Sequence, residues 1–354
     1  MDHMNTETLH NTIKQIFAPG KGVLAADESV ASIHKRFEAL SIPQTEEKRL
    51  AYRRLLIGTP GLHESISGVI FHDETFRQEI EGEKTFAKYC EEQGIVPGIK
   101  VDKGLIDLPN FPGEKITLGL DGLKERLEEY YSLGARFCKW RAVVDVSVST
   151  DSGIEANMRN LALYAGLAQQ AGIVPMVEPE VLYEGVHSVY ECKEKMQNVL
   201  THLFGELALY KVDLSGVILK TSFVLPGHQN VDGATDEDET AKLTAEVLLA
   251  TVPKNIGGVV FLSGGQSPSQ ASDNLSRVMK HGPFPFPITY SYSRAIQDPV
   301  LEHFAKNAVD EAGAREIFKD RLAMNTLALK GEYDVSKETG ISSKVAKVTG
   351  SQDL

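Results

Sequence analysis

The 354-residue sequence predicts a closed, eight-stranded parallel sheet ringed by helices, the (β/α)8 or TIM-barrel form of the α/β class. Two observations carry this expectation. Short apolar, strand-like runs alternate with amphipathic helical stretches about eight times, with no break in composition between them. Almost every run also turns polar toward its C-terminal end, the end at which such barrels assemble their sites. A doubly wound open sheet is the alternative arrangement of the same elements.

In chain order the strand-like runs are VLAADE (23–28), SGVIFH (67–72), VPGIKVD (96–102) and FCKWRAVV (137–144). IVPMVEPEVL (173–182), GVILKTSFV (216–224), GGVVFLSGG (257–265) and PITYSYSR (287–294) follow. Among the helical stretches, 122–135 has apolar residues at near-helical spacing and a Gly stop. The stretch 151–172 opens on an Asp/Ser cap and closes at Gly. The stretch 235–253 places an acidic first turn against the positive end of the helix dipole and stops at Pro253. Residues 1–19 are polar and helix-like. One catalytic domain is expected over 1–333, with the polar, Ser/Lys-rich stretch 334–354 as a mobile tail.

Bulk composition narrows the function. Hydrophobic residues at 42% and charged residues at 24% place the chain among ordinary globular proteins able to bury a full core. No apolar run has the length of a membrane span, and the N-terminal stretch lacks the apolar core of a signal peptide. A net charge of -12 argues against nucleic acid or an anionic membrane as the main partner. An anionic substrate therefore needs a local basic pocket in an acidic body. The three cysteines (Cys90, Cys138, Cys192) cannot all pair and form no CxxC, which suits reduced thiols in a cytoplasmic protein. The histidines lack metal-ligand spacing, so no metal is expected. His72, at a strand end, is expected to be a hydrogen-bonded structural residue. Neither a Walker motif nor a strand-linked GxGxxG is present, and nucleotide binding has no support.

Three lysines, Lys100, Lys139 and Lys220, each sit in an apolar run that reads as a buried strand. Ammonium groups are rarely buried without a partner or a purpose. Strand alternation puts Lys139 and Arg141 on one face and Cys138 and Trp140 on the other, Lys100 with Asp102, and Glu178 with Glu180. Charges on the inner faces then converge at one end of the barrel. A structural ion-pair network in the barrel interior is the competing explanation. Several cations around a buried amine suit phosphorylated carbonyl substrates and Schiff-base chemistry. In FLSGGQS, the Ser263 hydroxyl and the backbone N–H groups at Gly264 and Gly265 can hold a phosphate with no Cβ in the way, though an ordinary tight turn reads the same. Arg294, ending the next strand after Ser291 and Ser293, adds a bidentate partner for that phosphate.

GKGVLAADES, GIKVDKG, FCKWR, VPMVEPE, VILK, FLSGGQS and SYSRA, in that order over about 20–331, resemble the class I fructose-1,6-bisphosphate aldolases. The resemblance implies a (β/α)8 enzyme, usually a cytoplasmic or plastid homotetramer, that works through a covalent lysine imine without a cofactor. It selects Lys220 as the Schiff-base lysine, a choice that sequence physics leaves open among Lys100, Lys139 and Lys220. Burial and a neighbouring cation favour the neutral, nucleophilic amine. Glu178 is implied as the acid/base of carbinolamine formation and dehydration, with Glu180 tuning the charge beside it. Asp27 is implied to take the C4 hydroxyl proton, and Lys139 to stabilise oxygen charge and hold Asp27 and Glu178 ionised. Ser263, Gly264 and Arg294 match the family's C1-phosphate pocket. Ser29, Ser32, Arg36 and Lys100 match positions around the other phosphate or the open sugar chain, and Arg141 a substrate-contacting arginine.

Two departures from the family stand out. Many members carry a glycine where this chain has Ser293, whose backbone N–H still donates to phosphate while its side chain reshapes the pocket. Many also end in a tyrosine that protonates the enamine, whereas the last tyrosine here is Tyr333, so slower protonation or another proton source is expected. Two other functions compete: a different lysine-dependent lyase of the deoxyribose-phosphate or transaldolase kind, and a non-catalytic phosphate-binding scaffold. The second phosphate set near the first strand argues against the former, and the presence of Lys220, Glu178 and Asp27 against the latter.

Overall fold

The computed structural model describes residues 3–230, 236–307 and 310–338. Eight strands form its central sheet: β1 (Gly22–Ala26), β2 (Ile66–Phe71), β3 (Val96–Lys100), β4 (Phe137–Val144), β5 (Val174–Val181), β6 (Ile218–Thr221), β7 (Gly258–Phe261) and β8 (Ile288–Tyr292). Every strand pairs in parallel with its sequence neighbour, and β1 pairs with β8 through Val23↔Ser291 and Leu24↔Tyr292. This closure makes the sheet a barrel and excludes the doubly wound alternative. All eight strand-like runs become barrel strands, and all but 137–144 are trimmed at their C-terminal ends. The runs 216–224 and 257–265 shorten most, each to four residues, the former starting late because Leu214–Gly216 turns as a 3-10 helix before β6.

Two apolar layers follow from the period-two alternation of side chains. Outward residues such as Cys138, Trp140, Val177 and Leu219 join the large cluster between sheet and helices. Inward residues at the lower end, including Val23, Ile70, Phe137, Met176 and Val260, join a second cluster with Leu9, Ile13 and Ile16. The helix His3–Ile16 thus caps the N-terminal mouth of the barrel. Glycines make room for this packing: a Cβ at Gly98 would lie 2.3 Å from the Phe137 ring, and one at Gly258 2.2 Å from Phe17.

The helices 123–132, 151–170 and 237–251 stand where their periodicity places them. Their starts shift by the chemistry of the caps. Thr150, not Asp151 or Ser152, caps the second, its hydroxyl accepting from the Gly153 N–H, and Asp236 caps the third. The polar C-terminal stretch is docked further than its composition suggests. Glu338 pairs with the fully buried Arg321 at 2.6 Å and accepts from the Tyr333 hydroxyl at 2.6 Å. Residues 339–354, the rest of the expected mobile tail, lie outside the described residues. Among the described residues no helix is long and apolar enough to cross a membrane.

Candidate active site

At the C-terminal mouth of the barrel the inward side chains change from apolar to charged, and a cavity of about 910 Å3 opens there. Each strand contributes at the height where its last inward position falls. Asp27 follows β1, His72 follows β2, Lys100 ends β3, Lys139 and Arg141 come from β4, Glu178 and Glu180 from β5, and Lys220 from β6. Ser263 and Gly264 follow β7, and Ser291, Ser293 and Arg294 come from β8 and the turn beyond it. Ser29, Ser32 and Arg36 join from the helix Val30–Ala39, which Ser29 caps by accepting from the Ser32 N–H. Pairing of Arg141 with Glu178, and of Lys100 with Lys139, sets the register that brings these groups level.

At the centre lies a chain of alternating charges. Lys220 Nζ stands 2.9 Å from Glu178 Oε1, Glu178 Oε2 stands 3.0 Å from Lys139 Nζ, and Lys139 Nζ stands 2.7 Å from Asp27 Oδ2. All four side chains are at most 10% exposed, so water screens them little. Burial pushes the Asp27 carboxyl up, but Lys139 and Lys220 outweigh it and hold the group well below the ordinary carboxylate range. Glu178 behaves likewise: burial opposes ionisation, and Lys139, Lys220 and Arg141 together prevail. For Lys139 burial disfavours the ammonium, yet Asp27 and Glu178 keep it charged above its usual range. Arg141 Nε donates to Glu180, and Lys100 Nζ donates to Asp102. The expected ion-pair network therefore exists, but it forms the wall of an open cavity. The two expectations describe one set of residues.

Around this centre stand two groups suited to phosphate. Gly264 and Gly265 both take positive φ (49° and 84°), a turn that favours glycine. A Cβ on Gly265 would lie 3.8 Å from Arg294 Nη2 and 3.5 Å from the Tyr183 ring, so the loop and the arginine converge. Gly265 itself falls outside the cavity wall, against expectation, because it turns toward Tyr183 while Gly264 faces inward. After β1, the neighbour of β8, the Ser29 and Ser32 hydroxyls lie 3.0 Å apart at a helix N-terminus. Arg36 is more committed than its sequence position suggests: one terminal nitrogen donates to Glu28 and the other to Asp298 at 2.7 Å. Glu28, Arg53, Gln297 and Asp298 were not among the expected site residues. Only the acidic neighbour of Asp27 in AADES offered a hint of them.

His72 lines the cavity, with burial first and then Lys100 holding its imidazole below its ordinary range. Cys138 packs outward against Tyr164, as alternation requires, and burial pushes its thiol up to about 12. Among the described residues no group of three or more His, Cys, Asp or Glu is arranged to hold a metal ion. Tyr333 is buried against Glu338, and burial pushes its phenol far above the usual range.

With this geometry in hand, comparison with known proteins is specific. The chain matches the family described as "Glycolytic: Fructose-bisphosphate aldolase class-I" over residues 8–351. A "Probable fructose-bisphosphate aldolase class 1" of Xanthomonas campestris is 46% identical over 333 residues, covering 93% of this chain and 99% of that one. A "Fructose-bisphosphate aldolase" of Plasmodium falciparum is 43% identical over 331 residues, covering 92% and 89%. A solved structure of fructose-bisphosphate aldolase from Plasmodium falciparum, in complex with TRAP and a small molecule inhibitor, superposes with a TM-score of 0.91 at 42% identity. That superposition covers 94% of this chain and 97% of that one. The chain belongs to the class I fructose-bisphosphate aldolases, aldehyde-lyases that reversibly split fructose 1,6-bisphosphate into dihydroxyacetone phosphate and glyceraldehyde 3-phosphate through a Schiff base.

Proposed function

We propose that Lys220 forms the imine and that Glu178, Asp27 and Lys139 move the protons around it. The observation that carries this is the contact of Lys220 Nζ with Glu178 Oε1 inside a cavity that also holds Asp27. The neutral Lys220 amine attacks the C2 carbonyl of the open-chain ketose, and the resulting hydroxyl leaves as water on taking a proton from Glu178. In this reading Glu178 accepts the ammonium proton first and returns it later. Asp27, ionised beside Lys139, takes the C4 hydroxyl proton. The C3–C4 bond then breaks, its electron pair flows into the iminium, and glyceraldehyde 3-phosphate departs. An enamine of dihydroxyacetone phosphate remains, to be protonated at carbon and hydrolysed from Lys220. Because the iminium is the electron sink, the steps assigned here need no metal or cofactor.

Ser263, Gly264 and Arg294 are assigned to one phosphate, with Gly265 shaping the turn and Ser291 in the wall between the strands. Ser29, Ser32, Arg36 and Lys100 are assigned to the other phosphate or the sugar chain, and Arg141 with Glu180 to the sugar hydroxyls. Sedoheptulose 1,7-bisphosphate and fructose 1-phosphate are the secondary substrates this cavity suits. A cytoplasmic protein is supported by three free, buried cysteines. A homotetramer is supported by the family resemblance, and light scattering of the purified protein checks it.

The decisive experiment incubates the protein with dihydroxyacetone phosphate, reduces with borohydride and maps the adduct by mass spectrometry. The adduct is expected on Lys220 with EDTA present, and Lys220→Met is expected to lose activity by roughly 10^4-fold or more. An unmodified Lys220 alongside EDTA-sensitive cleavage would sink this assignment.

A further inference from the structure

Ser293 stands at the start of the helix Arg294–Lys306 but does not cap it; its hydroxyl points back across the barrel seam. It donates to Glu28 Oε1 at 3.0 Å and accepts from Gln297 Nε2 at 3.1 Å. Gln297 Nε2 also donates to the Ala25 carbonyl at 2.6 Å, which can only accept and so fixes the amide's orientation. Its Oε1 is then free to accept from Arg53 Nη1 at 3.4 Å, and Arg53 Nη2 donates to Glu28 Oε2 at 2.6 Å. Glu28, Ser293, Gln297 and Arg53 thus form a closed ring of hydrogen bonds. At the Ser293 position the ring needs a group that donates and accepts at once, which a hydroxyl supplies and alanine or glycine does not. Gln297 and Arg53 are 0% and 3% exposed, and neither reaches the cavity wall. Glu28 Oε1 also receives Arg36, so the ring's one carboxylate aims a cavity-lining guanidinium.

We propose that Ser293 is a positioning residue for the bisphosphate: its hydroxyl locks Glu28, and Glu28 in turn fixes Arg36 at the mouth between the first and last strands. The proposal rests on the assignment of Arg36 to substrate binding made above. Opening the ring takes one partner each from Glu28 Oε1 and the Gln297 amide, so Glu28 can shift and take Arg36 with it, leaving Asp298 to hold only the other guanidinium nitrogen. The loss falls on ground-state binding, because the Lys220–Glu178–Lys139–Asp27 chain makes no contact with the ring residues through these bonds.

The test uses steady-state kinetics on fructose 1,6-bisphosphate, with borohydride trapping as a control. Ser293→Ala is expected to raise KM about tenfold and to change kcat less than about threefold. Ser293→Thr, which keeps donor and acceptor, is expected to restore most of the wild-type KM. Gln297→Met breaks the same ring from a residue remote from substrate, so it should raise KM comparably, and the double variant should be no worse than either single one. A KM rise in Ser293→Ala that Gln297→Met does not share, or that adds to it, overturns the proposal, since the hydroxyl then acts on substrate directly. An unchanged KM in Ser293→Ala overturns it alone, even if melting temperature falls and whether or not Gln297→Met can be purified. An absent Lys220 adduct in the wild type marks failure of the imine assignment instead; an intact adduct with an unmoved KM marks failure of the ring.

Discussion

Glu178 touches both lysines of the proposed reaction centre, one with each carboxylate oxygen, and the role assigned to it rests on this double contact. Its buried Oε2 has no hydrogen-bond partner of good geometry among the described residues although Lys139 lies 3.0 Å away, so that oxygen is held by charge. Glu178→Gln keeps the shape and removes the exchangeable proton. Its kcat on fructose 1,6-bisphosphate is expected to fall by roughly 10^2- to 10^4-fold, the usual worth of a positioned acid/base. KM should move far less, and rapid-quench measurement of imine formation should show the same loss. Residue-level chemistry was legible in the sequence to a definite depth. Alternation placed Lys139, Arg141, Glu178 and Glu180 on the inner face, because the side-chain period of a strand is fixed by its backbone. The choice of Lys220 over Lys100 needed the family resemblance, since all three lysines share the same kind of apolar context. Gln297 and Arg53 were invisible. They meet each other across 244 residues, and Gln297 meets Ala25 across 272, contacts made only once helices pack on the closed sheet.

Among the elements, the N-terminal helix has the least obvious link to the site and one of the firmest roles. Leu9, at 0% exposure, enters the same cluster as Val23, Ile70, Val174 and Ile218, so the helix seals the end of the barrel opposite the cavity. Its polar, helix-like character was readable, but its docking partner was not, because local sequence does not report what a helix face is buried against. Leu9→Ala is expected to cost about 2–5 kcal/mol of unfolding free energy, the range for truncating a buried leucine. Urea titration checks this, and kcat measured at low temperature on the folded fraction should remain near wild type. The cap of the second helix teaches a similar lesson: Thr150 sits just before the Asp/Ser pair the composition favoured, since the cap is set by which side chain reaches the N–H groups of the first turn.

For the molecule as a whole, buried ionisable groups couple the site to acid stability. A carboxyl whose folded pKa lies below its unfolded value stabilises the fold fully above the unfolded value and loses that contribution as pH falls toward the folded one. Asp27, Glu28 and Glu178 are all of this kind. His72 and His187, whose folded pKa values burial lowers, add to the same slope, because the unfolded chain takes up their protons first. Asp298, pushed up chiefly by burial, works in the other direction. Urea midpoints are therefore expected to decline gently below about pH 6.5 and steeply below about pH 4.3, the unfolded values of histidine and glutamate. A midpoint that stays constant from pH 7 down to pH 4 contradicts the histidine contribution, and one constant down to pH 3 contradicts both.

The seam where β8 meets β1 also dictates when the enzyme can first work. Arg36 meets Asp298 and Ala25 meets Gln297 across separations of 262 and 272 residues, and Asp27 stands next to the start of that join. Such long-range closure is entropically late in folding. During translation, a nascent chain halted before the helix Arg294–Lys306 emerges from the ribosome would own every member of the Lys220 centre yet lack the join that holds Arg36 and the end of β1 in place. Catalytic competence is thus postponed until residues 294–306 are free to pack against β1.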